Sequence, residues 1–305
     1  MRNAFIQTIT ELARKDKRIF LITGDLGYNV LEDFIQKLPN QFLNAGVSEQ
    51  NMTGVATGLA LSGKIVFTYS IANFPTIRAL EQVRNDICYH SANVKIIAVG
   101  TGFTYGPLAS THHGTEDLAI MRSLPNMTAV APADAMEAKA LAKAVVKRDG
   151  PCYIRISKSG TVYQKEPELK IGKAITVKEG NGITLIAIGS MVSDALQAAR
   201  ELEEKHIHAR VLSMHTLKPL DTAAVKKAAK ETRGIITVEE HTIIGGLGGA
   251  VAEVLTEEGL CVPFYRIGVP DTFSEYIGDQ DYLKEKYGLT AKNIIKQALL
   301  MTVKV

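Results

Sequence analysis

A single carboxylate opens a predicted helix that is otherwise built from small residues. Glu49 begins the run 49–60, in which glycine, alanine and threonine predominate, so the helix can pack very closely on its neighbours. An acid at a helix N-terminus ordinarily complements the helix dipole, which is worth about 0.3–1 kcal/mol. Taken alone, Glu49 is therefore explained by helix electrostatics, and a chemical role needs further support.

Two adjacent histidines form the second candidate. His112 and His113 follow Thr111, ahead of a predicted helix over 116–123. Imidazole is the side chain that most often transfers protons near neutral pH. A lone histidine is usually structural, so the pair only indicates that this loop could carry chemistry.

A glycine-rich stretch at 244–250 follows a predicted strand and opens a predicted helix, as a dinucleotide-binding loop does. Its spacing is not that of the nucleotide motif, and the strand before it ends in Glu239 and Glu240. Two negative charges beside a supposed phosphate site argue against nucleotide binding. We expect these glycines to allow close packing of the helix on the sheet.

Short β-branched runs alternate with longer helical patterns along the chain. Predicted strands cover 18–23, 64–69, 94–99, 127–130, 152–156, 183–189, 209–213, 234–238 and 262–267. Predicted helices cover 51–61, 76–89, 116–123, 134–147, 193–206 and 222–231, with others after 249 and from 290. Several strands are almost wholly apolar, a pattern typical of a parallel sheet covered on both faces.

The fold class predicted from this alternation is α/β, with two doubly wound, mostly parallel-sheet domains of unequal size. Residues 161–180 are rich in charged residues and carry no sustained pattern. We therefore predict a larger domain over 1–160, a linker over 161–180 and a smaller domain over 181–305.

Composition excludes several classes of protein. Among the 305 residues the net charge is only +3, and no basic run or aromatic-studded patch suggests nucleic acid or membrane as a partner. The three cysteines are too few and too scattered for a disulfide framework or a metal site. With neither a signal sequence nor a membrane span, we expect a cytoplasmic protein.

Six segments, in the same order along the chain, resemble the pyrimidine-binding and C-terminal domains of transketolases. They are 46–60 around Glu49, Phe74 with the helix over 78–86, Thr111–His113 with the segment 116–127, 130–134, 150–155, and 238–246. The resemblance covers nearly the whole chain. It implies a thiamine-diphosphate pyrimidine-binding domain followed by the smaller transketolase C-terminal domain.

The family's first domain, which carries the magnesium-diphosphate motif Gly-Asp-Gly followed by Asn, has no counterpart here. Gly24-Asp25-Leu26 lacks the third glycine, and Asn51 falls in the first turn of a helix. Without that glycine the backbone cannot approach a diphosphate closely. The chain thus resembles the C-terminal subunit of a split, two-gene transketolase.

That resemblance implies an enzyme that transfers a two-carbon ketol unit from a ketose to an aldose. Its cofactors would be thiamine diphosphate and Mg²⁺, with ligands largely from a partner subunit that carries Gly-Asp-Gly…Asn. An α₂β₂ assembly is implied, because family active sites form between subunits about a two-fold axis.

The resemblance also assigns roles to individual residues. Glu49 would bond N1′ of the aminopyrimidine from a buried position against an apolar wall, and Phe74 would stack on that ring. Val47 and Ile71 would line the same pocket, Ile71 at a place where many relatives have a second aromatic.

Three further residues are implied on the substrate side. His112 would bond substrate hydroxyls and stabilise a developing alkoxide. Lys158 falls where relatives place an arginine for the sugar phosphate, with Arg155 as a nearby competitor. Asn29 falls where relatives place a hydroxyl near the donor channel.

Two departures from the family pattern bear on the substrate. Leu108 stands where relatives have an aspartate that contacts a substrate hydroxyl, and Gly100 stands where many have a histidine. A site without these two polar groups suits a deoxy, branched or otherwise modified sugar better than the usual pentose and hexose phosphates.

Two alternatives stay open. The β-subunit of a 2-oxo acid dehydrogenase E1 has the same two-domain layout, although the Thr-His-His segment and the Glu-Glu-His strand end favour transketolase. A non-catalytic subunit that only stabilises its partner would keep the fold, but it would have no need for an acid at Glu49.

Overall fold

The computed structural model describes residues 1–303, which form two mostly parallel β-sheets flanked by helices. This arrangement confirms the predicted α/β class. Among the described residues, no helix is long and apolar enough to cross a membrane.

The first sheet contains all six described strands that precede residue 160. Its members are β1 (Ile19–Thr23), β2 (Phe42–Asn44), β3 (Ile65–Ile71), β4 (Val94–Val99), β5 (Thr128–Val130), β6 (Cys152–Ile156) and one later strand, β10 (Thr216–Lys218). They are ordered β10-β5-β6-β4-β3-β1-β2, and every pair except β10 with β5 is parallel. The carboxyl ends of the parallel strands therefore share one edge, where α/β proteins usually bind ligands.

The second sheet is built from the rest of the chain. Its members are β7 (Ile175–Lys178), β8 (Ile183–Ala187), β9 (Ala209–Ser213), β11 (Ile235–Thr242) and β12 (Phe264–Val269), in the order β12-β11-β8-β9-β7. Of these described strands, only β7 runs antiparallel to its neighbour. β7 lies inside a region that lacks a clear periodic pattern, which is why sequence reasoning missed it.

The helices alternate with these strands. They are α1 (Arg2–Ala13), α2 (Glu32–Lys37), α3 (Glu49–Leu61), α4 (Leu80–Gln82), α5 (Asp117–Ser123), α6 (Ala135–Val146), α7 (Met191–Glu203), α8 (Thr222–Glu231), α9 (Leu247–Glu257), α10 (Gln280–Lys286) and α11 (Ala291–Val303). Most predicted helices are present with shifted ends.

The exception is the helix predicted over 76–89, which is not a regular α-helix. A π-helical turn over Phe74–Arg78 precedes the single α-turn of α4, and a second π-helical segment covers Val83–Cys88. Pro75 stands in the first turn of this segment, where its missing N–H removes no helical hydrogen bond. The wider turns change which side chains share a face, and such π segments often occur at functional sites.

β10 was also not predicted, and it joins the two halves of the chain. It pairs antiparallel with β5 at the edge of the first sheet. The Lys218 ammonium donates hydrogen bonds to the carbonyls of Arg122 and Leu124, which holds the strand against the end of α5. The first sheet therefore takes a strand from beyond the predicted linker.

Candidate active site

Glu49 is the first residue of α3, and its side chain is only 1% exposed. Its Oε2 accepts a hydrogen bond of 2.9 Å from Nη1 of Arg78, and its Oε1 accepts one of 3.3 Å from the Ser70 hydroxyl. The expected burial is present, but the expectation of an apolar wall was wrong, because a guanidinium and a hydroxyl face the carboxylate. These contacts fix the orientation of Glu49 at the carboxyl end of β3.

Phe74 lies in the π-helical turn that follows β3. The Arg78 guanidinium carbon is 4.2 Å from the centre of its ring, and the His112 ring meets it edge-on with centroids 5.6 Å apart. Three residues that were predicted from separate segments, Glu49, Phe74 and His112, thus form one connected group. Arg78, which sequence reasoning did not assign, is the link between the acid and the aromatic ring.

The two neighbouring histidines have different surroundings. His113 is buried, its Nε2 lies 3.2 Å from the Gly106 carbonyl, and its ring meets Phe103 edge-on. Burial lowers the pKa of His113. His112 is only half-buried, and its Nδ1 lies 3.0 Å from the Thr111 hydroxyl. His113 is therefore part of the loop's own packing, and His112 is the accessible imidazole.

Lys158 lines a cavity of about 420 Å³ at the carboxyl ends of β4 and β6. Arg2, Gly100 and Tyr105 line the same cavity, so two cationic side chains face it. No sequence pattern indicated Arg2, because an arginine at the start of an amphipathic helix usually faces solvent. The cavity has the positive charge that an anionic substrate group needs.

Arg155 does not face this cavity. Its side chain is buried and donates to the Asp117 carboxylate at 2.9 Å, as well as to the carbonyls of Gly114 and Glu240. These partners exclude it as the competitor of Lys158 for a substrate anion.

The remaining predicted residues are more peripheral. Val47 lies on the loop before α3 and is 72% exposed, and Ile71 ends β3 with a half-buried side chain. Asn29 is exposed, with a left-handed backbone (φ 60°) whose N–H bonds to Glu32, and it does not line the Lys158 cavity.

The aspartate of the Gly24-Asp25-Leu26 segment is hydrogen-bonded within the protein. The Asp25 carboxylate accepts a hydrogen bond of 2.9 Å from the side-chain amide of Asn44. Over residues 1–303, no group of three or more His, Cys, Asp or Glu side chains is arranged to hold a metal ion.

The contacts of Glu239 explain why the stretch before α9 is rich in glycine. Its carboxylate accepts hydrogen bonds of 2.7 Å from the backbone N–H groups of Leu247 and Gly248, at the start of α9. The acid thus occupies the helix N-terminus that a nucleotide phosphate would need. A Cβ on Gly246 would lie 2.1 Å from Glu239, so this glycine permits the close approach.

Glu240 joins the second sheet to the loop that carries His112. Its buried carboxylate accepts hydrogen bonds from the Phe103 N–H (2.8 Å), the Ser190 hydroxyl (2.6 Å) and the Gln280 amide (2.9 Å). Phe103 lies in the loop between β4 and α5, and Ser190 and Gln280 lie at the starts of α7 and α10. Glu240 therefore anchors the loop that carries His112 without touching the predicted cofactor pocket.

Replacing Glu240 with alanine should lower kcat/KM of the assembled enzyme by about tenfold or more, because the His112 loop loses its anchor. Steady-state kinetics test this effect. Glu253→Ala, which removes a half-exposed acid that pairs with Arg122 at the surface, is the control and should leave kcat/KM unchanged. A Glu240→Ala enzyme with wild-type kinetics would contradict a positioning role.

Similarity to known proteins extends over nearly the whole chain. Residues 1–162 match the family model "Transketolase, pyrimidine binding domain", and residues 172–294 match "Transketolase, C-terminal domain". The chain is 43% identical over 302 residues to one subunit of the apulose-4-phosphate transketolase of Phocaeicola vulgatus, covering 98% of this chain and 96% of that protein.

Two other relatives agree with that match. A 6-deoxy-6-sulfo-D-fructose transketolase subunit of Clostridium sp. (strain MSTE9) is 41% identical, with 98% of this chain and 93% of that protein covered. A solved structure described as "Split gene transketolase, inactive beta4 tetramer" superposes with a TM-score of 0.90 at 39% identity, over 99% of this chain and 97% of that one.

Proposed function

Because the chain belongs to the transketolase family, we propose that it is the cofactor-activating subunit of a split transketolase, which transfers a two-carbon ketol unit from a ketose to an aldose. The observation that carries this proposal is the connected group of Glu49, Phe74 and His112, in which a buried acid, an aromatic face and an accessible imidazole adjoin.

These residues fit the aminopyrimidine of thiamine diphosphate. Glu49 is a buried carboxylate at the carboxyl edge of the sheet, and it would hold a proton against N1′. Phe74 would stack on the ring, with Val47 and Ile71 beside it. When bound, the cofactor supplies a nucleophilic carbon, C2 of its thiazolium ring. Arg78 contacts both Glu49 and Phe74. When the aminopyrimidine binds, the Arg78 guanidinium must therefore either move away or keep one carboxylate oxygen of Glu49 while N1′ takes the other.

The substrate side would use His112 and the cavity of Lys158. His112 would donate a hydrogen bond to the substrate oxygen on which negative charge develops. Lys158, with Arg2, would hold an anionic end of the sugar, and Asn29 would lie near the donor channel. Leu108 is 51% exposed, and its apolar side chain cannot hydrogen-bond to a substrate hydroxyl. This agrees with a sugar in which that hydroxyl is missing or modified. Two relatives are named for a sugar phosphate and a deoxy-sulfo sugar.

The other half of the site would come from a partner chain. An N-terminal transketolase subunit with Gly-Asp-Gly…Asn would bind the diphosphate and Mg²⁺, and two copies of each chain would assemble as α₂β₂ in the cytoplasm. The similar solved structure is described as an inactive tetramer of β chains, which supports a need for that partner.

Ketol transfer should therefore require both subunits. The chain alone should show less than about 1% of the activity of the co-purified pair with thiamine diphosphate and Mg²⁺, because it lacks one side of the cofactor site. A coupled assay of aldose and ketose products measures this transfer. Activity of the isolated chain would overturn the proposal, and decarboxylation of a 2-oxo acid by the pair would instead favour the dehydrogenase alternative.

A further inference from the structure

The ring of Tyr105 packs directly over the α-carbon of Gly100. A Cβ built on Gly100 would lie 1.9 Å from Cε2, 2.2 Å from Cδ2 and 2.9 Å from Cζ of that ring. These distances are far below any real contact, so no side chain at position 100 can coexist with the ring in this place. Gly100 also has a φ of +72°, which favours glycine.

The position of Tyr105 is set by the loop that follows β4. Its carbonyl accepts a hydrogen bond of 2.9 Å from the Leu108 N–H, within a short 3₁₀ turn over Gly106–Leu108. Two residues earlier, the Phe103 N–H bonds to the buried carboxylate of Glu240. These contacts fix the backbone on both sides of Tyr105, and so the place from which its ring projects.

Gly100 and Tyr105 line the same cavity as Arg2 and Lys158. The ring thus fills space at the end of β4, in a cavity whose cationic side chains could hold an anionic substrate group. A ring that fills space shortens a cavity and excludes the extra atoms of a longer ligand.

We propose that Tyr105 is a specificity-determining residue, whose ring limits the length of the sugar between the reacting carbonyl and the anion held by Arg2 and Lys158. The inference rests on the proposed ketol-transfer function and deepens it. The substrate class is a short sugar with a terminal oxyanion, either phosphate or sulfonate. The property that matters is the volume of the ring, so phenylalanine should replace tyrosine without loss of selectivity.

The test uses the assembled two-subunit enzyme with thiamine diphosphate and Mg²⁺. Xylulose 5-phosphate and fructose 6-phosphate serve as five-carbon and six-carbon donors with one common acceptor, and their sulfonate counterparts are measured in parallel. Tyr105→Ala should raise the ratio of six-carbon to five-carbon kcat/KM by about tenfold, the range expected for one carbon in a pocket. Tyr105→Phe should keep the ratio within about twofold of wild type.

Tyr89→Ala is the matched control, because Tyr89 is 82% exposed on the surface and should not change the ratio. Tyr105→Leu, with a smaller but still apolar side chain, provides a second test if the alanine variant does not fold. An unchanged ratio in a folded Ala or Leu variant overturns the inference, as does a change in Tyr105→Phe equal to that in Tyr105→Ala. A shift confined to phosphates or to sulfonates also overturns it, since a length limit acts on both.

The same experiment separates this inference from the proposed function. A wild-type pair that transfers no ketol unit from these donors, or from deoxy and branched ketoses supplied in the same assay, overturns the proposed function and the inference together. A wild-type pair that transfers ketol units, with a ratio unaffected by Tyr105 substitutions, overturns only the inference.

Discussion

Glutamine in place of Glu49 should reduce kcat of the assembled enzyme by about 100-fold or more, the loss expected when a proton-transferring group is removed. The two side chains are nearly equal in size, so the buried site beside Ser70 and Arg78 keeps its shape. An amide, however, cannot pass a proton to N1′ of the aminopyrimidine as a carboxyl group can. Steady-state rates at saturating thiamine diphosphate measure the effect.

Glu81→Gln is the appropriate control for this experiment. Glu81 lies on the short helix α4 close to Arg78, but its side chain is exposed. Its replacement should leave kcat within about twofold of the wild-type value, because surface substitutions away from special features have small effects. Retention of more than about a tenth of wild-type activity by Glu49→Gln would contradict the catalytic assignment.

The members of this site could be predicted in part because each motif follows a strand or starts a helix. Glu49 opens α3, Phe74 follows β3, and His112 lies in the loop after β4. Parallel neighbouring strands bring their carboxyl ends to one edge, so three distant segments had to converge. Alternating apolar runs predicted the strands, and the family resemblance selected the residues.

Other features depended on tertiary contacts that no local pattern records. The π-helical turn over Phe74–Arg78 brings the Arg78 guanidinium onto Phe74 and Glu49. A regular α-helix over 76–89 would rotate Arg78 to another face of the helix, because its turns are narrower. β10 has only three residues, too few to show a period, and is held by its pairing with β5. Arg2 lines the Lys158 cavity only because α1 begins beside it.

The buried ion pair of Arg155 and Asp117 is the feature on which the stability of this region should depend most. Both side chains are only 1% exposed, and the Tyr153 hydroxyl also donates to Asp117 at 2.6 Å. Arg155 further bonds the carbonyls of Gly114, in the His112 loop, and of Glu240, in β11. The pair therefore joins the first sheet, the loop that carries His112 and the second sheet through one guanidinium.

Asp117→Ala should lower the free energy of unfolding by about 3–5 kcal/mol, because it leaves a charged guanidinium buried without its counter-ion. Urea unfolding followed by circular dichroism measures this loss. The control is Glu166→Ala, which breaks the partly exposed pair with Lys143 and should cost no more than about 1 kcal/mol.

A double variant tests whether the loss comes from the unpaired charge rather than from the missing side chain. Asp117→Leu with Arg155→Met removes both charges and fills most of the volume, so it should be less destabilising than Asp117→Ala alone. The same variant loses the Arg155 bonds to Gly114 and Glu240, so it should still lower kcat/KM by freeing the His112 loop. Equal loss of stability in the single and double variants would show that the unpaired charge is not the cause, because removing the buried guanidinium would then have recovered no stability.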